Sequence, residues 1–234
     1  MSINTRTITK RQIECSTERV DGISYGELYE TYKSKELRIK VQSDTKMSNI
    51  TLNKRFKAVE WMCEVCHDQN LNCETIVLSC SLLDRYTSRK KVESTQLQLV
   101  VGTCMYVASK YSEECGLDLQ ELKKASANVC QPSSVVAIER EVLRTLDYSM
   151  SYTHIAHFVD LFCSFFDLKI ETECLFSTCC CLRNAGYLNY KPSLLAVAIV
   201  SSNSDIQFGG WSRLGECKEF VTSCVNKVLE SKQF

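Results

Sequence analysis

The stretch from Glu93 to Glu114, ESTQLQLVVGTCMYVASKYSEE, decides how the rest of the chain is read. From Leu97 to Ala108 it is apolar or small at nearly every position and carries no charge and no proline. A helix that is hydrophobic all round must be enclosed by other helices or by lipid. Spanning a bilayer takes about 20 predominantly apolar residues. This core is too short for that, so the pattern predicts a helix buried in a bundle. Gly102, Thr103, Cys104, Ala108 and Ser109 are small and let neighbouring backbones approach. The character then changes within one turn, to Lys110, Tyr111, Glu113 and Glu114, with Gly116 as a stop signal. A lysine emerging at the tip of a buried helix is placed to meet a partner.

The bulk composition agrees with a helical domain. The chain has 234 residues, of which 44% are hydrophobic, enough to build a sizeable core. It carries 28 basic and 28 acidic side chains, and this neutrality speaks against a sequence-independent grip on nucleic acid. Two prolines and eight glycines in this length point to long helices and an all-α class. A secreted disulfide scaffold would be short and loop-rich. Here the opening MSINTRTITKRQIECS is polar with no apolar core, so no export signal is visible. Cys63, Cys66, Cys80, Cys104 and Cys179 to Cys181 fall inside apolar periodic runs, where cysteine acts as a small hydrophobe. The expectation is reduced thiols in the cytosol or nucleus, which leaves the Asn49-Ile50-Thr51 sequon without meaning as a glycan site.

Residues 1–22 are polar, lack helical periodicity and are expected to be a flexible N-terminal segment. Residues 23–52 hold an N-terminal helix and a linker. The helix begins at Ser24, with Glu27 three residues on completing a capping-box pattern, and the polar run VQSDTKMSNIT follows. Residues 53–150 read as a five-helix bundle: Asn53–Asp68, Leu71–Arg85, the buried helix, Leu117–Val129 and Pro132–Leu146. Pro132 suits the first turn of its helix. Residues 151–234 start the pattern again, with Thr153–Phe166, Glu171–Ala185, Pro192–Ser202, Trp211–Leu214 and Glu216–Leu229. The third member is the apolar, small-residue one in both sets, LVVGTCMYVASK and PSLLAVAIVSS, which is an internal-repeat signal.

Constellations that could carry chemistry resolve to bland readings. Asp84 and Arg85 are expected to form an internal salt bridge or cap that locks helices. Cys63-x-x-Cys66 with His67 lacks the second ligand pair that structural zinc needs, and core packing is expected. His154 and His157, spaced i to i+3, are expected to pack or lie at the surface. No glycine-rich phosphate loop and no nucleophile-elbow serine is present in the sequence. No catalytic residue, no metal and no cofactor is expected.

Several segments, in order, resemble a known family: AVEWMCEV (58–65), LLDRY (82–86), LQLVVGTCMYVASKYSEE (97–114), IEREVLRTLDY (138–148), YLNYKPSLLAVA (187–198) and GGW (209–211). Over about residues 24 to 230 the chain resembles a cyclin of the A/B (mitotic) type with two cyclin boxes. The resemblance implies an all-α fold of two tandem five-helix boxes preceded by an N-terminal helix that packs across them. It implies a regulatory subunit in cell-cycle control, without an active site, partnered by a Ser/Thr cyclin-dependent kinase in the nucleus and cytoplasm. Active protein kinases need a Lys-Glu ion pair whose formation depends on helix position. A cyclin binds that active arrangement better, and this differential affinity is the activating effect.

Carried over residue by residue, the resemblance puts the kinase-binding lysine at Lys110 and its paired glutamate at Glu139. Val107, Tyr111, Tyr148 and Met150 fall on positions that line the apolar kinase-facing groove. In the family a second, apolar cleft docks Arg-x-Leu motifs of substrates and inhibitors. Trp61 and Gln98 match it, but its apolar positions fall on Lys54, Lys57 and Ala58, which puts that docking in doubt. Other readings of the chain are a transcription-kinase partner of cyclin fold and an adaptor that binds a kinase without activating it. No nucleic acid and no membrane is expected as a partner.

Overall fold

The computed structural model describes residues 7–38, 51–150 and 153–231. The polar linker up to residue 50, most of the sequon and the boundary at residues 151–152 lie outside the described residues. The chain separates into two compact units, one of residues 41–151 and one of residues 1–40 with 152–234.

Where a flexible segment was expected over residues 1–22, the described residues 7–22 carry regular structure. The segment folds as β1 (Thr7–Thr9), α1 (Lys10–Glu14), and a small antiparallel pair, β2 (Arg19–Val20) with β3 (Ile23–Ser24). Three things order it. Ile13 is fully buried. Gln12 Oε1 accepts from Thr9 N at 2.8 Å, closing a capping box. Thr7, Ile8 and Thr9 pair in parallel with Gln207, Phe208 and Gly209. The next helix, α2 (Tyr25–Arg38), starts as its sequence predicts. Ser24 N donates to Glu27 Oε2 at 3.0 Å, and Glu27 N donates back to Ser24 Oγ at 3.2 Å.

The first bundle has the expected five helices: α3 (Leu52–Asp68), α4 (Cys73–Arg89), α5 (Leu97–Ser112), α6 (Leu119–Ala125) and α7 (Pro132–Thr145). Helix α5 is the buried centre, enclosed from Val100 to Met105 and again from Val107 to Ser109. Gly102 makes this possible, because a Cβ there would lie 2.6 Å from Cys130 Sγ. Helix α4 runs four residues past the expected Arg85, and the burial of Tyr86 and Thr87 on the added turn accounts for the extension. Asp84 locks α4 to α3. Its carboxylate takes a two-pronged contact from Arg55 of α3, Nε to Oδ1 and Nη2 to Oδ2, both at 2.8 Å. Both side chains are almost fully enclosed, 2% and 6% exposed, so the pair costs most when one partner is removed.

The second unit carries α8 (Ile155–Phe166), α9 (Glu171–Arg183), a 3-10 turn (Ala185–Asn189), α10 (Pro192–Ser202), β4 (Gln207–Gly209) and α11 (Leu214–Ser231). The short helix expected at Trp211–Leu214 does not form. Gly210 (φ 81°) and Arg213 (φ 64°) turn the chain there, and α11 begins at Leu214. Helix α10 is buried from Ser193 to Ser201. Helix α2 joins this unit through aromatic rings: Tyr29 and Tyr32 meet Phe158 at 6.1 and 5.7 Å between centroids. It also caps α10, since Ser193 N donates to the buried Glu36 Oε1 at 2.6 Å. Among the described residues no helix is long and apolar enough to cross a membrane.

Candidate partner-binding site

The site grows from the place where α5 leaves the core. Ser109 is its last buried residue, and Lys110 emerges with its side chain 41% exposed. The Lys110 ammonium pairs with Glu139 of α7, whose side chain is 14% exposed. It also lies 4.4 Å from the ring centroid of Tyr106, a cation–π contact one turn back on α5. Two helices distant in sequence thus bring together the two charged residues that the family resemblance singles out.

The exit of α7 supplies the aromatic part. Tyr148 N donates to Leu143 O at 2.9 Å, closing a Schellman-type end. Asp147 and Tyr148 both adopt left-handed backbone, φ 52° and 53°, which non-glycine residues rarely hold without support. Two arginines one turn apart on α4 give that support. Arg89 donates to Thr145 O, and Arg85 Nη1 donates to Ser149 O at 2.9 Å. Tyr148 is left 64% exposed and Met150 half-buried, while Tyr111 at the end of α5 is 53% exposed. Val107, expected on the same surface, is only 4% exposed and backs the site from inside.

Beside this surface, Glu141 of α7 accepts from Tyr86 Oη at 2.9 Å and pairs with Lys90. The Lys90 hydrogen bond holds the Glu141 carboxyl below its ordinary value, against some desolvation. The Tyr86 phenol is pushed up, chiefly by burial and then by its bond to Glu141.

The second cleft looks different from an apolar dock. Ala58 is buried, and half-buried Trp61 packs toward α5, its Cη2 3.6 Å from where a Cβ on Gly102 would lie. Lys54, Lys57 and Gln98 are exposed, and the Lys54 ammonium donates to Ser94 Oγ. The surface left there is polar and cationic.

Sequence reasoning missed Arg55, the Arg85/Arg89 hold on the α7 exit, Tyr106 beneath Lys110, and Glu113. Arg55 sits between Lys54 and Phe56 in a run that reads as solvated, so only tertiary contact reveals it. The spacing of Arg85 and Arg89, i to i+4 on one helix face, was an available signal.

A pair of opposite charges with spare valences can meet both ends of backbone peptide groups through charge-assisted hydrogen bonds. Exposed Tyr111, next to Lys110, and exposed Tyr148, at the exit of α7, are large, stiff side chains of the kind that dominates interfaces. The arrangement is that of a helical bundle with a charged pair and exposed aromatic side chains at its surface, chemistry suited to contact with another protein.

Comparison with known proteins identifies the family. The cyclin N-terminal domain family matches residues 27–151. Cyclin-A3-3 of Arabidopsis thaliana is 29% identical over 231 residues, covering 89% of this chain and 70% of that protein. Cyclin-B2-1 of Oryza sativa subsp. japonica is 28% identical over 204 residues, covering 85% of this chain but 46% of that protein. The X-ray structure of a viral cyclin from herpesvirus saimiri superposes with a TM-score of 0.74 at 19% identity, covering 87% of this chain and 97% of that one. The chain belongs to the cyclin family. It is related to the mitotic A/B-type cyclins and has their all-α, non-catalytic fold with two helix-bundle regions.

Proposed function

We propose that this chain is an A/B-type cyclin with two cyclin boxes, the regulatory subunit that binds and activates a Ser/Thr cyclin-dependent kinase in cell-cycle control. The observation that carries the reading is the Lys110–Glu139 pair at the exposed end of an otherwise buried helix, followed at once by exposed Tyr111. Lys110 and Glu139 cap backbone groups of an incoming kinase helix. Tyr111, Tyr148 and Met150 supply apolar contact, with Val107 supporting them. The kinase is activated because its active helix position fits this surface better than the inactive one.

An ion pair at the surface contributes only about 0–1 kcal/mol to a fold, and the Lys110 side of this one is open to solvent. Charge-assisted hydrogen bonds across an interface contribute more, about 1.5–3 kcal/mol each. Lys110→Ala with Glu139→Ala is therefore expected to weaken kinase binding by roughly 100-fold or more, with an unchanged helical CD spectrum and melting temperature. The check is titration of the purified chain against a cyclin-dependent kinase, coupled to a histone-kinase assay. Normal activation by the double variant would sink the site assignment.

Exposed Lys54 and Lys57 favour a second, narrower reading: the chain engages its kinase without recruiting Arg-x-Leu substrates or inhibitors through the α3 cleft. An Arg-x-Leu peptide that binds the purified chain tightly, and loses binding on Trp61→Ala, would contradict it. All fifteen cysteines are free thiols, which supports residence in a reducing compartment, the nucleus and cytoplasm. Fractionation of the source cell, with the chain recovered outside both, would overturn that.

A further inference from the structure

Helix α5 ends at Ser112, and the chain has to turn back at once to start α6 at Leu119. Two features of that return concern Lys110 directly. Glu113, the C-cap, reaches across to the start of α4. There its carboxylate accepts from Asn72 N at 2.7 Å, from Asn72 Nδ2 at 2.5 Å and from Thr75 Oγ1. Asn72 makes no side-chain cap of its own to α4, so Glu113 supplies a negative charge to that positive helix end from another helix. This fixes the direction in which the chain leaves α5, three residues beyond the lysine.

Further along, the return passes over the lysine itself. Leu117 N donates to Ser109 Oγ at 2.9 Å, pinning the far end of the loop to the last buried turn of α5. Gly116 then lies against the lysine. A Cβ on Gly116 would be 3.1 Å from Lys110 Cγ and 3.3 Å from Lys110 Cα. The aliphatic stem of Lys110 is thus covered by the loop, the Tyr106 ring lies under its ammonium, and Glu139 accepts its charge.

We propose that the return loop 113–117 is the positioning device for Lys110: Glu113 anchors it, Gly116 lets it lie on the lysine stem, and together they hold the ammonium on Glu139 in the free chain. Neither residue need touch the partner. What the held pair is for rests on the function proposed above, whereas the holding is a property of the free chain and is read there. A side chain fixed in its bound geometry beforehand loses less freedom on association.

The test is competitive acetylation of the intact chain with trace acetic anhydride, reading Lys110 against Lys57 and Lys227 by mass spectrometry. Wild type is compared with Glu113→Ala, Gly116→Ala and, as the fully released reference, Glu139→Ala. Release from an exposed pair is expected to raise Lys110 labelling by up to about fivefold, with Lys57 and Lys227 unchanged. Glu113→Gln, which keeps an acceptor for Asn72 N, is expected to fall between wild type and Glu113→Ala. Unchanged Lys110 labelling in both Glu113→Ala and Gly116→Ala overturns the proposal. So does a rise shared equally by all three lysines, which would mean general loosening. If Glu113→Ala does not fold, Gly116→Ala decides alone, since its backbone needs no left-handed conformation. Titration with a cyclin-dependent kinase in parallel separates the two readings. A wild-type chain that binds no such kinase overturns the function proposed above, while the labelling still decides whether the loop holds the lysine.

Discussion

Helices α5 and α10 occupy the centres of their bundles, and both are buried along most of their length, Val100 to Ser109 in one and Ser193 to Ser201 in the other. Their C-terminal ends differ. Past Ser201 the chain closes on itself with neutral groups: Asn203 Nδ2 donates to Ile199 O at 2.9 Å and to Ser177 Oγ at 3.1 Å, and Ser204 Oγ donates to Val200 O at 2.7 Å. Past Ser109 the chain presents a cation, its carboxylate and an exposed tyrosine. Burial along a helix is a statement about the fold, and both helices make it. The two helix ends differ in charge, and the function proposed above assigns the charged one to a partner.

The same contrast holds for how carboxylates are used. In the second unit Glu36 is buried and occupied by the N-terminus of α10 and by Lys33. In the first bundle Asp84 is the enclosed carboxylate, and Glu139 and Glu141 stand nearer the surface. The largest expected effect comes from breaking the enclosed pair. Arg55→Ala should destabilise the first bundle by about 3–5 kcal/mol, because it removes the two-pronged charged contact from an enclosed carboxylate. Urea unfolding measures this, and a loss below about 1 kcal/mol would mean that Asp84 finds solvent or another donor. Next in size, Asn203→Ala removes two neutral hydrogen bonds at the end of α10 and should cost about 1–2 kcal/mol. Kinase binding should not change with it. An equal loss of kinase binding would erase the distinction between the two helix ends.

Smaller still is the pH dependence of Glu141. Its pKa in the folded chain is lowered from 4.5 by the Lys90 hydrogen bond, so its contribution is present above 4.5 and is lost as pH falls through the lower folded value. The group is partly exposed, so the contribution is at most about 1 kcal/mol. Melting of wild type and Glu141→Gln should differ at pH 7 and converge as pH falls below the lowered value of the Glu141 carboxyl. A constant difference across that range would show that charge is not the cause. The least energetic prediction concerns thiols. Burial pushes up the Cys66, Cys104 and Cys217 thiols, Cys217 to about 12, while Cys15 and Cys115 are exposed. Iodoacetamide at neutral pH should modify Cys15 and Cys115 first and reach the others only on unfolding.

Much of this was legible in the residues. The all-apolar run of α5 and the small-residue run of α10 each announced a buried helix. The Ser24/Glu27 capping box and Pro132 at the start of α7 formed as their local chemistry requires. Lys110 and Glu139 were singled out by resemblance to a family, and the structure brings them into contact. Long-range pairing was not legible. Strand β1 is ordered by residues 207–209, and the partner of Asp84 lies 29 residues earlier in the chain, next to lysines that look solvated. Trp211–Leu214 carries apolar residues at helix-like spacing, yet Gly210 and Arg213 turn the backbone there. Glu113 reads as one of two surface acids, and only the fold shows that it caps a helix from a different part of the chain.

Whether the charged end of α5 is the partner surface is decided by a paired titration against one cyclin-dependent kinase. One variant removes that end, Lys110→Ala with Glu139→Ala, and the other removes the neutral end of α10, Asn203→Ala. Binding and activation should be lost in the first, with melting unchanged, and both retained in the second despite a lower melting temperature. Full activation by the first variant, or loss confined to the second, would contradict the assignment of α5 as the kinase-facing helix.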